Sequence, residues 1–176
     1  MESRKIALAS LIASLYAILV YILPMTSFLL WQVRIADSLL PLVTVLGYPA
    51  VIGVSVGCFI GNILAAPWGS SGLNFLDALL GSLVNFVAGY TAYKLAYRRG
   101  FSRRLIAVLS QVMIVSIGVG SYLRWFLLWA FNTDVTLVVS IAGVLPGSLV
   151  SIFFLGLPLS LGVERALKTT GYRVEV

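Results

Sequence analysis

Isolated polar side chains stand inside long apolar stretches of this sequence, and their types and spacing could build a binding site. Six of them form two groups, one in a loop and one on a helix: Gln32, Arg34 and Asp37, then Asn74, Asp77 and Asn85. Amides, a guanidinium and carboxylates together offer donors and acceptors for a planar ligand with several hydrogen-bonding groups, such as a nucleobase. The same groups fit a vitamin, so residue types alone leave the ligand open.

The segment around Gln32 is expected to be an extended loop. Side chains alternate between two faces of an extended chain, so Gln32 and Arg34 would project together from Leu29–Ile35. We predict that this loop folds into the mouth of a helix bundle. Asp37 and Ser38 are predicted to cap the N-terminus of the short helix that follows.

Two helical stripes, each interrupted by glycine, predict a polar cavity with room for a ligand. The stripes are Asn74, Asp77, Gly81 and Asn85 on one helix, and Ser116, Gly120 and Arg124 on the next. Asn62 is expected near the same end of the bundle, and Trp31 or Trp125 could stack on a ligand ring.

Structural explanations exist for the same residues. Arg34 or Arg124 could pair with Asp37 or Asp77 only to hold helices together. Trp68 and Trp129 fit the aromatic belt found at membrane interfaces. The concentration of the whole polar set at one end nevertheless favours a ligand site.

The composition identifies an integral membrane protein. The chain has 176 residues, 60% of them hydrophobic and 10% charged, and a mean hydropathy of +1.05. We predict one all-α membrane domain over residues 1–176, with helices at about 6–23, 37–46, 50–66, 75–97, 105–129 and 138–167. The N-terminal apolar run is longer than that of a cleavable signal peptide, so we interpret it as a retained span.

The sequence excludes several kinds of catalytic site. It contains no histidine and one cysteine, Cys58, which removes Ser-His-Asp and Cys-His catalysis and histidine metal ligation. We predict no metal and no cofactor. A membrane enzyme that uses Asp37 and Asp77 as acid and base stays an alternative, as does an assembly subunit whose polar groups are purely structural.

The basic residues predict the orientation in the membrane. With a cytoplasmic N-terminus and six helices, both termini lie inside, and all Lys and Arg except Arg34 and Arg124 are cytoplasmic. The inside group is Arg4, Lys5, Lys94, Arg98, Arg99, Arg103, Arg104, Arg165, Lys168 and Arg173. These cations are explained by topology, so we predict a multi-pass protein of the cell membrane without a nucleic-acid partner.

Four short motifs, in order, resemble the QueT family. They are QVRIADSL at 32–39, GCFIGN at 57–62, LD at 76–77 followed by GSL at 81–83, and GLPL at 156–159. The resemblance covers nearly the whole chain and has the same six-helix layout. It implies the substrate-binding S component of an energy-coupling-factor (ECF) transporter, with a deazapurine-like queuosine precursor as ligand.

The resemblance also implies partners. Ala9, Ala13 and Ala17 would dock on a transmembrane coupling subunit, and two partner ATPases would supply energy, because this sequence has no G-x-x-x-x-G-K-[ST] loop of its own. An S component for a different vitamin is the alternative with the same fold.

Two positions depart from the family pattern. The family usually carries glutamate at the position of Asp37, and Gly-Glu where this chain has Gly147-Ser148. A carboxylate at the position of Ser148 could pair with the aminomethyl cation of the usual precursor. Its loss predicts a preference for an uncharged relative, the nitrile-bearing deazaguanine.

Overall fold

The computed structural model describes residues 2–28 and 30–169, and within them the chain is helical with no β-strand. Leu29 and Arg173, which entered the predictions above, lie outside the described residues. The α-helices are α1 (Glu2–Ile22), α2 (Pro24–Ser27), α3 (Val43–Leu46), α4 (Tyr48–Ala65), α5 (Ser71–Ala96), α6 (Phe101–Phe131), α7 (Leu137–Ser148) and α8 (Leu157–Thr169). A 3₁₀ helix, Ile35–Leu42, precedes α3, and a π-helix, Leu149–Gly156, joins α7 to α8.

The predicted helices are present, but the second of them is too short to be a full span. In the described part of the chain, five helices are long and apolar enough to cross a membrane: Ser3–Ile22, Tyr48–Ala65, Ser71–Ala96, Phe101–Phe131 and Leu137–Thr169. The second predicted helix, 37–46, corresponds to the shorter apolar stretch Ile35–Leu46. Exposed Leu, Ile and Phe side chains cover the outer faces of the five long helices, as a lipid-facing surface requires.

The short helix begins as a 3₁₀ helix, and this corrects the predicted cap. Asp37 lies inside the first turn and makes no capping hydrogen bond, because the N-cap position is Arg34. Pro41 lies within the helix, where it has no N–H to donate to the Asp37 carbonyl as an α-helix would require. The 3₁₀ rise of roughly 2.0 Å per residue makes the segment longer than an α-helix of equal length.

Neighbouring helices cover the short helix. Every residue from Ala36 to Leu42 is buried. The chain turns sharply after α3 at Gly47, whose φ of 76° is a backbone conformation that glycine adopts without strain. The predicted break near residue 47 is therefore confirmed.

A glycine ladder on α4 lets α1 approach closely. A Cβ on Gly57 would lie 2.6 Å from Tyr16 Cβ and 2.7 Å from the Ala13 carbonyl oxygen. Gly53 meets Ile12 and Gly61 meets Val20 in the same way. Packing through small residues replaces the hydrophobic driving force that is missing between helices in lipid, so this ladder serves the packing of α1 on α4.

The alanines of α1 face this ladder. Ala13 and Ala17 are buried within the chain and Ala9 is half-buried, with its carbonyl oxygen against Gly53. The alanine face that the family resemblance assigned to a partner subunit is therefore covered by α4. The small side chains that α1 exposes are Ser3, Ala7, Ser10 and Ser14.

A second groove lies along α7 and the π-helix and holds the segment 30–41. A Cβ on Gly143 would lie 2.7 Å from the Leu30 carbonyl oxygen. A Cβ on Gly147 would lie only 1.5 Å from the Gln32 carbonyl oxygen. Further along, a Cβ on Gly156 would lie 2.8 Å from the Ser38 carbonyl oxygen. We call the surface formed by these three glycines the loop groove. It fixes the position of the loop and of the 3₁₀ helix.

Replacing Gly57 with alanine should destabilise the bundle, because the new methyl group would overlap Tyr16 and the backbone of Ala13. We expect a loss of about 1–3 kcal/mol, which is typical of overpacking, measured by thermal unfolding in detergent. Gly72→Ala is the matched control, since a Cβ there meets nothing within 4 Å. Equal melting temperatures for the two variants would contradict the close α1–α4 packing.

Candidate ligand-binding site

Buried polar side chains gather at the end of the bundle that carries the connections 28–34 and 66–70. Three of them are ionisable: Arg34, Asp37 and Asp77 are 6%, 5% and 2% exposed. Buried charges are costly inside a membrane protein and mark functional sites more often than exposed ones do. We call the polar side chains around these three the Arg34 cluster.

Asp37 is held by the helices on either side of it. The Tyr16 hydroxyl donates a short hydrogen bond to Asp37 Oδ1, and Asn85 Nδ2 donates to the Tyr16 hydroxyl oxygen at 2.8 Å. The sequence predicted Asp37 and Asn85 for the site, and this chain of hydrogen bonds brings them together. Tyr16 connects them across α1, the 3₁₀ helix and α5.

Asp77 forms the other side of the cluster. Asn62 Nδ2 donates to Asp77 Oδ2 at 3.1 Å, so these two predicted residues also meet. The indole N–H of Trp68 and the hydroxyl of Tyr122 lie near the same carboxyl, but neither forms a hydrogen bond of acceptable geometry with a described residue. Asp77 is thus surrounded by more donors than it uses.

Arg34 interacts electrostatically with both carboxyl groups, but other atoms hold its guanidinium. Its Nε and Nη2 atoms donate to the Ser27 carbonyl oxygen at 3.3 and 3.1 Å, and Nη1 lies 3.7 Å from Cys58 Sγ. The guanidinium also covers the Phe28 ring, 5.0 Å from its centroid. Among the described residues it forms no ion pair within 4.0 Å, so the predicted structural pairing with Asp37 or Asp77 is not observed.

The electrostatic surroundings favour the charged form of Arg34. Burial by itself lowers the pKa of Arg34, but the acidic groups around it, chiefly Tyr16, Cys58 and Asp37, raise that pKa, and the net direction is upward. A charged, buried guanidinium with no ion-pair partner is a strong hydrogen-bond donor for an acceptor that enters the site.

A small cavity opens beside the guanidinium. It is bounded by polar groups from the loop and helices, with valines completing the wall: Gln32, Arg34, Asp37, Val115, Val119, Val144 and Ser148. It holds about one water-sized molecule. A bicyclic ligand needs several times this space, so the loop must move before such a ligand can enter.

The alternation predicted for the loop is observed. Gln32 and Arg34 are buried and line the cavity, whereas Trp31 is 71% exposed and points away from it. Ser148, predicted from its place in the sixth helix, lies in the opposite wall. The 3₁₀ helix begins directly after Arg34, so Asp37 follows one turn later on the same side.

Several predicted site residues lie outside the cluster. Arg124 forms an ion pair with the exposed Asp134 at 3.9 Å and lies over the Trp125 ring. Trp125 is 46% exposed and packs on Trp129. Asn74 Oδ1 accepts from the backbone N–H of Trp68 at 3.3 Å, so this residue shapes the 66–70 connection and does not reach the Arg34 cluster.

The glycine gaps of the two stripes are filled by protein. A Cβ on Gly81 would lie 2.9 Å from Asn62 Nδ2, and one on Gly120 would lie 2.6 Å from the Ile141 backbone. The cavity expected at these gaps is therefore absent there, because the glycines serve close packing. The observed cavity lies instead between the loop, α6 and α7.

Sequence reasoning missed three residues of the cluster. Tyr16, Cys58 and Tyr122 are fully or largely buried next to the ionisable groups. A tyrosine in the middle of an apolar helix needs a partner for its hydroxyl, and this signal could have identified Tyr16. Trp68, assigned to the membrane interface, is instead 2% exposed among Phe28, Phe126 and Phe131.

Metal ligation has no support from the arrangement. In the part of the chain that the structure describes, no three Cys, Asp or Glu side chains stand close enough together to hold an ion. The cluster offers hydrogen-bond donors, acceptors and charges, which are the means of binding a small polar molecule.

Gly147→Ala should displace the loop, because the new methyl group would occupy the position of the Gln32 carbonyl. Cys58 reports this displacement: it is the single cysteine, it is buried, and Arg34 covers it. We expect alkylation of Cys58 by a small thiol reagent to become about tenfold faster. This corresponds to a free energy of loop opening that is lower by about 1.4 kcal/mol.

Gly162→Ala is the control for this experiment, since it lies in the continuation of the same helix and a Cβ there meets nothing within 4 Å. Its alkylation rate should match that of the unchanged protein. If Gly147→Ala left the Cys58 rate unaltered, the loop would not be held by the groove.

The comparisons with known proteins agree with this architecture. The family model described as QueT transporter matches residues 6–165, which includes every residue of the Arg34 cluster and all but the outermost ends of the five long helices. No curated protein and no solved structure matches the chain. The extent of the family match shows that this chain belongs to the QueT transporter family.

Proposed function

We propose that this membrane transporter is the substrate-binding S component of an ECF transporter, and that it captures a deazaguanine-like precursor of queuosine outside the cell. The observation that carries the proposal is the Arg34 cluster: a buried guanidinium and two buried carboxyls, without ion pairs among themselves, beside a cavity. A structural pair would neutralise itself directly, whereas groups kept apart are available to a ligand.

The lining suggests how such a base would be recognised. Asp37 would accept hydrogen bonds from the guanine-like N–H edge, and Arg34 with Gln32 would donate to its carbonyl oxygen. Val115 and Val119 from α6 would cover one face of the ring. Trp31 and Trp125, predicted to stack on the ring, are exposed away from the cavity, so these valines take that role in the proposal.

The orientation follows from charge. The turn between α5 and α6 carries exposed Arg98 and Arg99, and the first turn of α6 carries exposed Arg103; these would lie in the cytoplasm together with both termini. The Arg34 cluster, at the opposite end of the bundle, would then face outward. We place the protein in the cell membrane with this orientation.

A coupling subunit and two ATPases would complete the transporter. Because Ala9, Ala13 and Ala17 face α4, we move the docking surface to the opposite side of the same helix, where Ala7, Ser10 and Ser14 are exposed. Small exposed residues on one face allow a partner helix to approach closely.

The proposal predicts that Asp37→Asn weakens binding of a deazaguanine base roughly 10- to 100-fold, because a charged acceptor contributes about 1.5–3 kcal/mol. Calorimetry on the purified protein measures this. Asp134→Asn is the control, since it removes an exposed carboxylate of the 132–136 connection. Equal affinity for both variants would remove Asp37 from the site.

Mass spectrometry of the purified protein identifies its ligand without assuming one. A co-purifying deazapurine would support the proposal, and a different vitamin would reassign the ligand. A folded protein that neither carries a small molecule nor binds a base would favour the structural-subunit alternative.

The docking surface makes a separate prediction. Ser14→Trp should abolish co-purification of the coupling subunit and leave base binding unchanged, because Ser14 is exposed on the face of α1 opposite to the buried Tyr16. Ser121→Trp, an exposed serine on α6, is the matched control. Retained association in Ser14→Trp would place the interface elsewhere.

A further inference from the structure

The outer face of α5 changes character along the second half of the helix. Its exposed positions there follow one another at helical spacing: Leu83, Val87, Tyr90 and Lys94. The opposite face, which includes Ala88 and Ala92, is buried in the bundle. The exposed stripe therefore begins with aliphatic side chains, passes an aromatic ring and ends in a cation. We call these four residues the α5 stripe.

The length of the α5 stripe matches one leaflet of a bilayer. At roughly 1.5 Å per residue, the stripe from Leu83 to Lys94 is about 16 Å long. The hydrocarbon core of a bilayer is about 30 Å thick, so one leaflet contributes about half of that. Acyl chains that lie along the stripe would therefore bring their headgroup to the level of Lys94.

Aromatic rings hold the cations at this end of α5. Lys94 Nζ lies 5.3 Å from the centroid of the Tyr90 ring, and Phe86 stacks on the same ring with the two centroids 5.9 Å apart. In the adjoining turn, Arg98 Cζ lies 5.2 Å from the centroid of the Tyr97 ring. Contact with a ring restricts the rotamers of a long side chain, so these cations have defined positions on the protein surface.

The charge at this end is positive and is not balanced by nearby carboxylates. Among the described residues, Lys94 and Arg99 form no ion pair within 4.0 Å. Glu164 belongs to the same end of the bundle, but Arg104 binds it at 2.6 Å and Lys168 at 2.7 Å. An anion from outside the chain would complement the remaining charge.

We propose that the α5 stripe binds an anionic phospholipid of the cytoplasmic leaflet. The lipid phosphate would contact Lys94 and Arg99, and an acyl chain would lie along Leu83, Val87 and Tyr90. This inference uses the orientation given above and goes beyond the proposed function. Membrane orientation explains why cations are numerous at this end, but it does not require aromatic rings that position them. A net negative headgroup complements these cations better than a zwitterionic one.

Native mass spectrometry of the purified protein tests the inference. The detergent micelles contain equal amounts of phosphatidylglycerol and phosphatidylcholine with identical acyl chains. The unchanged protein should retain phosphatidylglycerol at least about fivefold more, and Lys94→Gln should lower this retention about fivefold. Arg4→Gln is the matched control, because it removes the same charge from an exposed position of α1. It should retain phosphatidylglycerol as the unchanged protein does.

A second variant tests the ring without changing the charge. Tyr90→Leu keeps Lys94 and an apolar side chain, but it removes the ring that positions the ammonium group. We expect phosphatidylglycerol retention to fall about two- to fivefold. Tyr21→Leu, at an exposed position of α1, should leave it unchanged.

Two results would overturn the inference: equal retention of the two lipids by the unchanged protein, or an equal loss in Arg4→Gln and Lys94→Gln. The basic residues would then act only through their total charge. Thermal unfolding without added lipid checks that each variant is folded. Because lipid retention is measured without a base, its failure leaves the proposed function standing, and a failure of base binding leaves the lipid site standing.

Discussion

The burial of Arg34 is the constraint on which the rest of this end of the molecule depends. A guanidinium removed from water needs fixed acceptors, and the chain supplies the Ser27 carbonyl oxygen, the Phe28 ring and Cys58. The loop can deliver Arg34 to this position only because Gly143 and Gly147 let its backbone lie directly on α7. Glycine at these positions is thus a requirement of the site as much as of the packing.

The short helix connects this arrangement to the remaining bundle. Its 3₁₀ geometry places Asp37 one turn after Arg34 and seats Ser38 and Pro41 against Gly156 of the π-helix. Long 3₁₀ and π segments are uncommon and recur at functional sites and hinges. Here the 3₁₀ helix and the π-helix lie side by side next to the cavity. A movement that opens the cavity for a bicyclic ligand would therefore take place between two segments that are not α-helical.

The periodicity and composition of the sequence were sufficient to predict the helices and much of the site. The alternation of the loop predicted that Gln32 and Arg34 share a face, and the helical stripe predicted that Asp77 and Asn85 do. Arg124 was misplaced because helical period gives the face of a helix but not its partner, and Asp134 lies only ten residues further along. The glycine gaps were misread for a related reason: a missing side chain leaves room, and only the neighbouring helix decides whether protein or ligand fills it.

Hydrogen exchange of the protein in lipid nanodiscs, with and without a bound deazaguanine base, tests the central claim most directly. The proposed site lies between the loop, the 3₁₀ helix and α7, so the backbone amides of residues 30–42 should exchange more slowly when the base is present. The 97–100 turn at the opposite end should not change. Unaltered exchange in 30–42 together with protection at another part of the chain would contradict the assignment of the Arg34 cluster as the binding site.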